Sequence, residues 1–479
     1  MKLSIVGAGG LRTPLVLRAV ARRAERLALT ELALIDPDRK RLELMSGLAS
    51  AELGAAAAAG DQAAAYFSRS VKLSLADEAA GAIDGSDFVI STFRVGGMEG
   101  RVVDERVALG LGLLGQETTG AGGFAMAMRS IPVLFRLIGE MERRCRGAWL
   151  VNFANPSGLL TEAARNVRGY ERTVGICDAP SSLAAVIAAA LGRRPEDLAV
   201  GYYGLNHLGW IHSVREGGAE RLGDLIAMLE AAGGLPGYPF DPAFVRGLGL
   251  LPNEYLYYYY YRRESVANIL GAGRTRGESL LEENESFFAE LERASASGDP
   301  AAMGKAYRAY LEGRLATYMR AETGSRPAAG GAARGDPAIA ARLGSALAAL
   351  SQDDEGYAGV ALGLIEALSS LAPRRVIVNL PNAGAIEGMA DDAVVEVPAL
   401  ASGAGLESLA QGAPSEACLG LMLQVKAYER LTARAAAEGS RALALQALVA
   451  HPLVGDLGLA ERLLEGYQAG HGALFPRLA

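Results

Sequence analysis

The chain has 479 residues, more than a single hydrophobic core usually organises, so we expect two domains. Half of the residues are hydrophobic and 21% are charged, which is typical of globular proteins. The formal net charge of −7 argues against a nucleic-acid-binding protein, because that function needs a basic surface. Three cysteines are too few for a disulfide framework, and no apolar stretch reaches the roughly 18 residues of a membrane helix. We therefore expect a cytoplasmic protein with neither a membrane nor a nucleic-acid partner.

Short apolar runs alternate with helical segments in the first third of the chain. Lys2–Val6 predicts a strand, and a helix follows from about Thr13. The later strands are predicted at Leu32–Ile35, Phe88–Thr92, Trp149–Phe153 and Val174–Cys177. Strands separated by helices indicate a parallel sheet with right-handed crossovers, so we predict an α/β domain over residues 1–185.

The remaining residues, 186–479, mix helical and strand-like segments and predict a second, α+β domain. They include the tyrosine-rich Tyr255–Tyr261 and an apolar strand at Arg375–Asn379. Two segments rich in glycine, alanine and proline, Ser325–Pro337 and Ala401–Pro414, predict loops.

A glycine-rich turn follows the first strand and precedes the first predicted helix. Gly7, Gly9 and Gly10 would let the backbone approach a pyrophosphate at the N terminus of that helix. Asp36 ends the second strand, where a carboxylate can bond ribose hydroxyls and repels the 2′-phosphate of NADP. The pattern predicts a Rossmann domain that binds NAD+. The simpler interpretation is a tight turn, with Asp36 as a helix cap.

A cysteine and a histidine occupy positions suited to a metal ion. Cys177 follows an apolar strand and precedes Asp178, and the carboxyl ends of strands are where α/β sheets bind ligands. His207 lies in a Gly-Leu-Asn-His-Leu-Gly-Trp segment. Thiolate and imidazole both suit a borderline divalent metal. Each residue alone is more often structural, as a small buried hydrophobe or a hydrogen-bonded histidine.

Further polar segments lie at predicted strand ends. Arg94 precedes Val-Gly-Gly and can bind an anion through two donors. Gln116–Gly120 is polar and leads into a run of small residues, and Asn152 ends another strand. Each segment alone is compatible with a turn or a helix cap, but their shared position indicates one site.

Together these segments resemble family 4 glycoside hydrolases, whose fold is similar to that of lactate and malate dehydrogenases. The resemblance covers nearly the whole chain. It rests on Arg94–Gly97, Gly115–Gly123, Asn152–Ser157, Gly175–Pro180, Asn206–Trp210, Pro252–Tyr258, Thr275-Arg276, Val376–Ala385, Val394–Pro398, Val425–Leu431 and His451–Leu453.

The resemblance implies a redox-assisted elimination, an exception to hydrolysis by two carboxylates. NAD+ oxidises the sugar at C3, a base removes the C2 proton, the aglycone is eliminated, water adds, and the hydride returns. A divalent metal, usually Mn2+, acts as Lewis acid. The resemblance also implies a homodimer or homotetramer.

The same resemblance implies roles for individual residues. It assigns Cys177 and His207 as metal ligands and Tyr255 as the C2 base, with Tyr257 as the fallback. The remaining roles are leaving-group acid for Asp178, phosphate binding for Arg94, substrate contact for Asn152, and orientation of base and substrate for Arg276.

The substrate class is read from the residues after Cys177. The sequence Cys-Asp-Ala-Pro falls between the Cys-Asn-Val-Pro of 6-phospho-β-glucosidases and the Cys-Asp-Met-Pro of 6-phospho-α-glucosidases. Arg94–Gly97 and the C-terminal half favour the β class, whereas Asp178 favours the α class. We expect a 6-phospho-β-glucoside as substrate.

Two other classes of protein are compatible with parts of the pattern. A malate- or lactate-type dehydrogenase shares the fold and the glycine turn, and it would accumulate NADH. It needs a catalytic histidine with an orienting aspartate, and His212, His451 and His471 lie in no such context. A binding or regulatory protein that kept the fold would not need the full set of four residues, Cys177, His207, Tyr255 and Arg276.

Overall fold

The computed structural model describes residues 1–235, 238–317, 319–324 and 356–479, together with positions 336, 338, 339, 341, 344 and 345. The loop predicted at Ser325–Pro337 therefore lies almost wholly outside the described residues. The described chain is a mixed α/β structure, which confirms the predicted fold class.

The strands of the described residues form one continuous sheet of thirteen strands. They are β1 (Lys2–Val6), β2 (Glu31–Ile35), β3 (Lys72–Ala76), β4 (Phe88–Ser91), β5 (Trp149–Asn152), β6 (Thr173–Gly175), β7 (Leu198–Leu205), β8 (Leu208–Glu216), β9 (Ala219–Glu220), β10 (Leu251–Pro252), β11 (Arg374–Pro381), β12 (Val394–Ser402) and β13 (Gly405–Ser408).

Helices connect the strands and pack against the sheet and against one another. They are α1 (Thr13–Arg23), α2 (Arg39–Ala58), α3 (Gln62–Ser70), α4 (Ala79–Ala82), α5 (Gly97–Leu109), α6 (Gly120–Arg144), α7 (Ser157–Glu162), α8 (Ala179–Leu191), α9 (Leu222–Ala231), α10 (Pro242–Leu248), α11 (Tyr257–Tyr260), α12 (Arg262–Gly271), α13 (Arg276–Ala296), α14 (Pro300–Ala316), α15 (Arg320–Thr323), α16 (Gly356–Leu368), α17 (Glu416–Glu438), α18 (Arg441–Ala450) and α19 (Leu457–His471).

The N-terminal half of the sheet is parallel, with strand order β3-β2-β1-β4-β5-β6. This is the order of a dinucleotide-binding fold, and it reverses between β1 and β4. The carboxyl ends of these two strands therefore border the crevice where such sheets bind ligands. The five strands predicted in this part of the chain are present within one or two residues. Strand β3 was missed, because its half-exposed sequence at the sheet edge lacks a clear apolar run.

The C-terminal half of the sheet is antiparallel and joins the parallel half through β11 and β12. Only one residue pair, Asn379 with Gly175, connects β11 to β6. Only one pair, Glu396 with Gly204, connects β12 to β7. Because the two halves share a sheet, the domain boundary near residue 185 stays a prediction.

The loop predicted at Ala401–Pro414 is in part a β-hairpin. Strand β12 continues to Ser402, and β13 returns from Gly405 after a two-residue turn, Gly403-Ala404. Gly and Ala predicted an irregular segment, but two-residue glycine-containing turns also connect hairpin strands.

Helix α6 is a helix of the protein core. By length and composition it could cross a membrane, but 78% of its apolar window is buried inside the fold. It packs against α5, α7 and α17. Its apolar character therefore follows from burial on several sides.

Candidate active site

The glycine turn after β1 requires glycine for two physical reasons. Gly7 has a φ of +99°, and a Cβ there would lie 2.5 Å from the backbone nitrogen of Phe93. A Cβ on Gly9 would lie 2.8 Å from the carboxyl carbon of Asp36. Gly10 donates from its backbone N–H to the Gly7 carbonyl, 3.3 Å away, and closes the turn. Glycine at these positions places no side chain of its own between the turn and a ligand, as close approach of a pyrophosphate requires.

Asp36 lies directly beside this turn. One carboxylate oxygen accepts a hydrogen bond from the Gly9 N–H at 2.8 Å, and the other accepts from the Asp38 N–H at 2.9 Å. Burial raises the pKa of Asp36, and these two bonds oppose the rise. Helix α2 is capped by Asp38, so the helix-cap interpretation of Asp36 is wrong.

Cys177 lies between β6 and α8, and its side chain is buried. Its Sγ is 3.9 Å from Oδ1 of Asp178. Burial raises the pKa of the thiol well above its usual value, and Asp178 and Glu396 add to the rise. The other oxygen of Asp178 lies 3.6 Å from an Nη1 donor of Arg12, which precedes α1 in the glycine-rich turn. The strand end that carries Cys177 thus meets the candidate nucleotide site.

His207 lies in the two-residue turn between β7 and β8, with a φ of +62°. Its ring is buried, and Nδ1 lies 2.8 Å from the hydroxyl oxygen of Thr118. Burial lowers the pKa of His207 to about 4, although Asp178 and Glu117 act in the opposite direction. The imidazole is therefore neutral at pH 7, the form that binds metals, with Nε2 left for a ligand.

Two tyrosines of the aromatic segment have different environments. The ring of Tyr255 stacks on His207, with centroids 3.7 Å apart and planes 9° apart, and Tyr255 is half-buried. Tyr257 is fully buried, donates its hydroxyl to Glu264 at 3.2 Å and stacks on Tyr261. The structure thus brings Tyr255 to the candidate site and packs Tyr257 into the core.

Arg94 belongs to a cluster of charges beyond the end of β4. Its Nη2 lies 2.5 Å from a carboxylate oxygen of Glu117, and Nη1 of Arg101 lies 3.0 Å from the same oxygen. Burial alone would raise the pKa of Glu117, but Arg101 and Arg94 outweigh burial and lower the pKa to about 2. The Nη1 atom of Arg94 is buried and makes no hydrogen bond among the described residues.

The side chains of Asn152 and Arg276 are both hydrogen-bonded to neighbouring groups of the protein. Asn152 is fully buried, accepts a hydrogen bond from Ser91 and donates to the carbonyls of Ala154 and Ser157. Its amide therefore supports the turn after β5, and its substrate contact stays a prediction. Arg276 donates at the end of α14, to the Thr317 hydroxyl at 2.5 Å and the Arg314 carbonyl at 3.1 Å.

Glu396 is a buried acid that sequence reasoning did not single out. It accepts hydrogen bonds from Tyr202 at 2.9 Å, Asn379 at 3.0 Å and Asn206 at 3.3 Å. Burial raises its pKa to about 7, and the three bonds oppose the rise. Asn206 precedes His207, and Asn379 pairs with Gly175 near Cys177, so Glu396 joins the two elements that carry these residues. An acidic residue inside the apolar run of β12 was the available signal.

Among the described residues, no cluster of three or more histidine, cysteine, aspartate or glutamate side chains is arranged to hold a metal ion. A site at Cys177 and His207 would thus have two protein ligands, with the remaining positions left for oxygen ligands. A glycine turn at the reversal point of a parallel sheet, joined through Arg12 to Asp178 beside Cys177, defines a Rossmann-type dinucleotide-binding fold with a candidate site at the carboxyl ends of its strands.

Comparison with known proteins gives the family. Residues 2–193 match the model described as "Family 4 glycosyl hydrolase", and residues 202–454 match that of the "Family 4 glycosyl hydrolase C-terminal domain". The chain belongs to the family 4 glycosyl hydrolases, which confirms the resemblance read from the sequence.

Individual relatives match this chain from end to end. A 6-phospho-β-glucosidase of Thermotoga maritima is 29% identical over 97% of this chain and 97% of its own. A phospho-α-glucosidase of Clostridium acetobutylicum is 27% identical over 97% of this chain and 96% of its own. A crystal structure of the Thermotoga enzyme with manganese, NAD+ and glucose-6-phosphate superposes with a TM-score of 0.79 at 26% identity, covering 100% of both chains.

Proposed function

We propose that this protein hydrolyses 6-phospho-β-glucosides by the NAD+- and Mn2+-dependent redox elimination that the family resemblance implies. One observation carries the proposal. Asp178, the neighbour of Cys177, lies 3.6 Å from Arg12 of the glycine turn, so the candidate nucleotide and metal sites meet at one edge of the sheet. End-to-end similarity to proteins named as 6-phospho-glucosidases supports the substrate class and disfavours a dehydrogenase.

The residues present fit both cofactors. The glycine turn formed by Gly7, Gly9 and Gly10 would hold the pyrophosphate, and Asp36 the adenosine ribose. Cys177 and the neutral His207 would bind the metal, whose other positions would take the oxygen ligands that Mn2+ prefers. When bound, these groups supply a hydride acceptor and a Lewis acid.

The side chains of the protein would bind the substrate and move its protons. Arg94 would bind the 6-phosphate through Nη1, because Glu117 already holds the other end of its guanidinium. Tyr255 would accept the proton from C2, since its ring lies against the candidate metal ligand His207. Asn152 would contact the substrate, and Arg276 would orient the base and the substrate, as the family resemblance implies.

A specific residue supports 6-phospho-α-glucosidase activity as a second candidate. Asp178 follows Cys177 directly and is partly exposed, so its carboxyl group could reach a leaving-group oxygen. An acid at this position matches the Cys-Asp-Met-Pro pattern of the α class. Relatives with α names occur at almost the same identity as those with β names.

The test is a panel of p-nitrophenyl α- and β-glycosides, with and without a 6-phosphate, assayed with NAD+ and Mn2+ under reducing conditions. We expect release of p-nitrophenol from the 6-phospho-β-glucoside with no net NADH. Full activity after removal of bound and added NAD+ would overturn the mechanism. Cleavage of only the α anomer would show that the protein is a 6-phospho-α-glucosidase and not a 6-phospho-β-glucosidase. Net accumulation of NADH would instead support the dehydrogenase hypothesis.

Cys177→Ser is the matched variant for the metal site. It keeps a small polar side chain but removes the thiolate, so we expect loss of Mn2+-dependent turnover. Cys418→Ser removes another buried cysteine, on α17, and should retain turnover. Full activity of Cys177→Ser would remove Cys177 from the site.

A further inference from the structure

Gln116 organises a short chain of hydrogen bonds that ends at His207. Its side-chain oxygen accepts from the backbone N–H groups of Thr118 and Thr119, both at 2.6 Å. Backbone N–H groups can only donate, so this atom of the amide is the oxygen and not the nitrogen. The same oxygen accepts from the Thr118 hydroxyl at 3.0 Å.

The direction of the hydrogen bond between Thr118 and Gln116 determines the direction of the bond between Thr118 and His207. The single proton of the Thr118 hydroxyl points to Gln116, so at His207 the hydroxyl oxygen can only accept. The Nδ1 atom of His207, 2.8 Å from this oxygen, must therefore carry the proton. A neutral imidazole has one N–H, and so Nε2 holds the lone pair.

These hydrogen bonds are largely shielded from solvent. Gln116, Thr118, Thr119 and His207 are each less than 10% exposed. The face of the imidazole is covered by the stacked ring of Tyr255 at 3.7 Å. Tyr255 thus limits the tilt of the ring, and Thr118 limits its rotation in the plane.

We propose that Thr118, oriented by Gln116, is a positioning residue that fixes His207 in the Nδ1–H tautomer and keeps Nε2 open for the metal ion. The tautomer follows from the contacts above, whereas its use in metal binding rests on the proposed function. A ligating histidine whose second nitrogen is hydrogen-bonded in this way binds its metal in a fixed orientation.

Thr118→Val tests the proposal, because valine has the shape of threonine without the hydroxyl. The protein contains four histidines, so the tautomer of His207 can be read by nitrogen-15 NMR of the metal-free protein, with His207→Asn to assign the signal. We expect the Nδ1–H tautomer in the wild type and its loss in Thr118→Val. The dissociation constant for Mn2+, measured by electron paramagnetic resonance, should rise about 10- to 100-fold.

Two further variants separate positioning from folding. Thr118→Ser keeps the hydroxyl and should restore the tautomer and most of the Mn2+ affinity. Thr119→Val removes a neighbouring buried hydroxyl that makes no hydrogen bond among the described residues, and should leave both readouts unchanged.

The possible results are distinct. An Nε2–H tautomer in the wild type would overturn the proposal even if Thr118→Val failed to fold. Unchanged tautomer and Mn2+ affinity in Thr118→Val would also overturn it, and the proposed function would stand. A wild-type protein with the expected tautomer but no Mn2+ binding would overturn the metal role of His207 in both proposals.

Discussion

The guanidinium of Arg94 lies 2.5 Å from the carboxylate of Glu117, and Arg101 holds the same oxygen from a second direction. Arg101 is also paired with Glu105 at 2.7 Å, so the two arginines and the two glutamates balance in charge. Glu117 orients Arg94 and leaves its Nη1 atom without a hydrogen bond among the described residues, available for an anionic group on a sugar.

Arg94→Met should weaken binding of phosphorylated substrates selectively. Loss of a charged hydrogen bond costs about 1.5–3 kcal/mol, so KM for a 6-phosphorylated glycoside should rise about 10- to 100-fold, with a smaller change in kcat. Steady-state kinetics on phosphorylated and unphosphorylated glycosides measure this difference. Arg106→Met, which removes an exposed arginine paired with Glu278, is the control. An unchanged KM would exclude Arg94 from phosphate binding.

Asp36→Ser should weaken the preference for NAD+ over NADP+. The carboxylate repels a 2′-phosphate, whereas serine removes the charge and can donate to it. Dissociation constants from fluorescence titration with each dinucleotide test this expectation. Asp61→Ser alters a capping aspartate on α3 and should keep the original preference. If Asp36→Ser binds both dinucleotides like the wild type, Asp36 does not contact the ribose.

Tyr255→Phe should slow exchange of the substrate C2 proton with deuterated solvent. Loss of a general base typically costs about 100- to 10,000-fold in rate. Tyr257→Phe removes the hydroxyl that donates to Glu264, so it should lower stability by about 1 kcal/mol and leave exchange nearly unchanged. NMR detection of deuterium at C2 measures both variants. Slow exchange in Tyr257→Phe alone would assign the base to Tyr257.

Asp104→Asn should destabilise the protein strongly. Asp104 on α5 and Arg129 on α6 form two hydrogen bonds of 2.6 and 2.7 Å, and both side chains are fully buried. Removing one charge leaves the other buried without its partner, at a cost of about 3–5 kcal/mol. Asp392→Asn, which breaks a largely exposed pair with Arg430, should cost less than about 1 kcal/mol. Denaturant-induced unfolding compares the two, and equal losses would contradict this ranking.

His451→Asn should reduce the acid sensitivity of folding. Burial lowers the pKa of His451 from 6.5 to about 3, so below pH 6.5 the unfolded chain takes up a proton that the folded protein excludes. Above pH 6.5 the neutral His451 makes its full contribution to the free energy of unfolding. This contribution is lost as the pH falls, and the loss is about 2 kcal/mol between pH 7 and 5. Asparagine preserves an acceptor for the Leu453 N–H. If the free energy of unfolding depends on pH in the same way in the wild type and in His451→Asn, His451 does not have this lowered pKa.

Strand and turn positions were accessible from the sequence because they depend on local chemistry. The apolar run of β1, the glycines after it and Asp36 lie within one continuous βαβ segment, and the structure has them where expected. At Ala401–Pro414 the sequence predicts a loop, whereas the structure forms a β-hairpin in part of this segment. This difference shows the limit of reasoning from local sequence. Glycine-rich composition is common to turns of any length, and only pairing with β12 decides the outcome.

Local sequence patterns could not predict the environments of the site residues. Thr118 and His207 are 89 positions apart in the chain, and Glu396 and Tyr202 are 194 apart. Contacts across such separations depend on the order of strands in the sheet, which no short pattern contains. Asn152 illustrates the same point, because the sequence places it at a strand end and only the packing shows that its amide is completely buried.

Residue patterns alone were enough to identify the parallel α/β domain, the glycine turn and the glycosidase family, because each is written in neighbouring residues or in an ordered series of motifs. The folded chain was needed to place Tyr255 rather than Tyr257 against His207, to join Arg94 to Glu117 and to orient the His207 ring through Thr118. These relationships depend on burial and on the direction of hydrogen bonds, and both arise only when distant segments pack together.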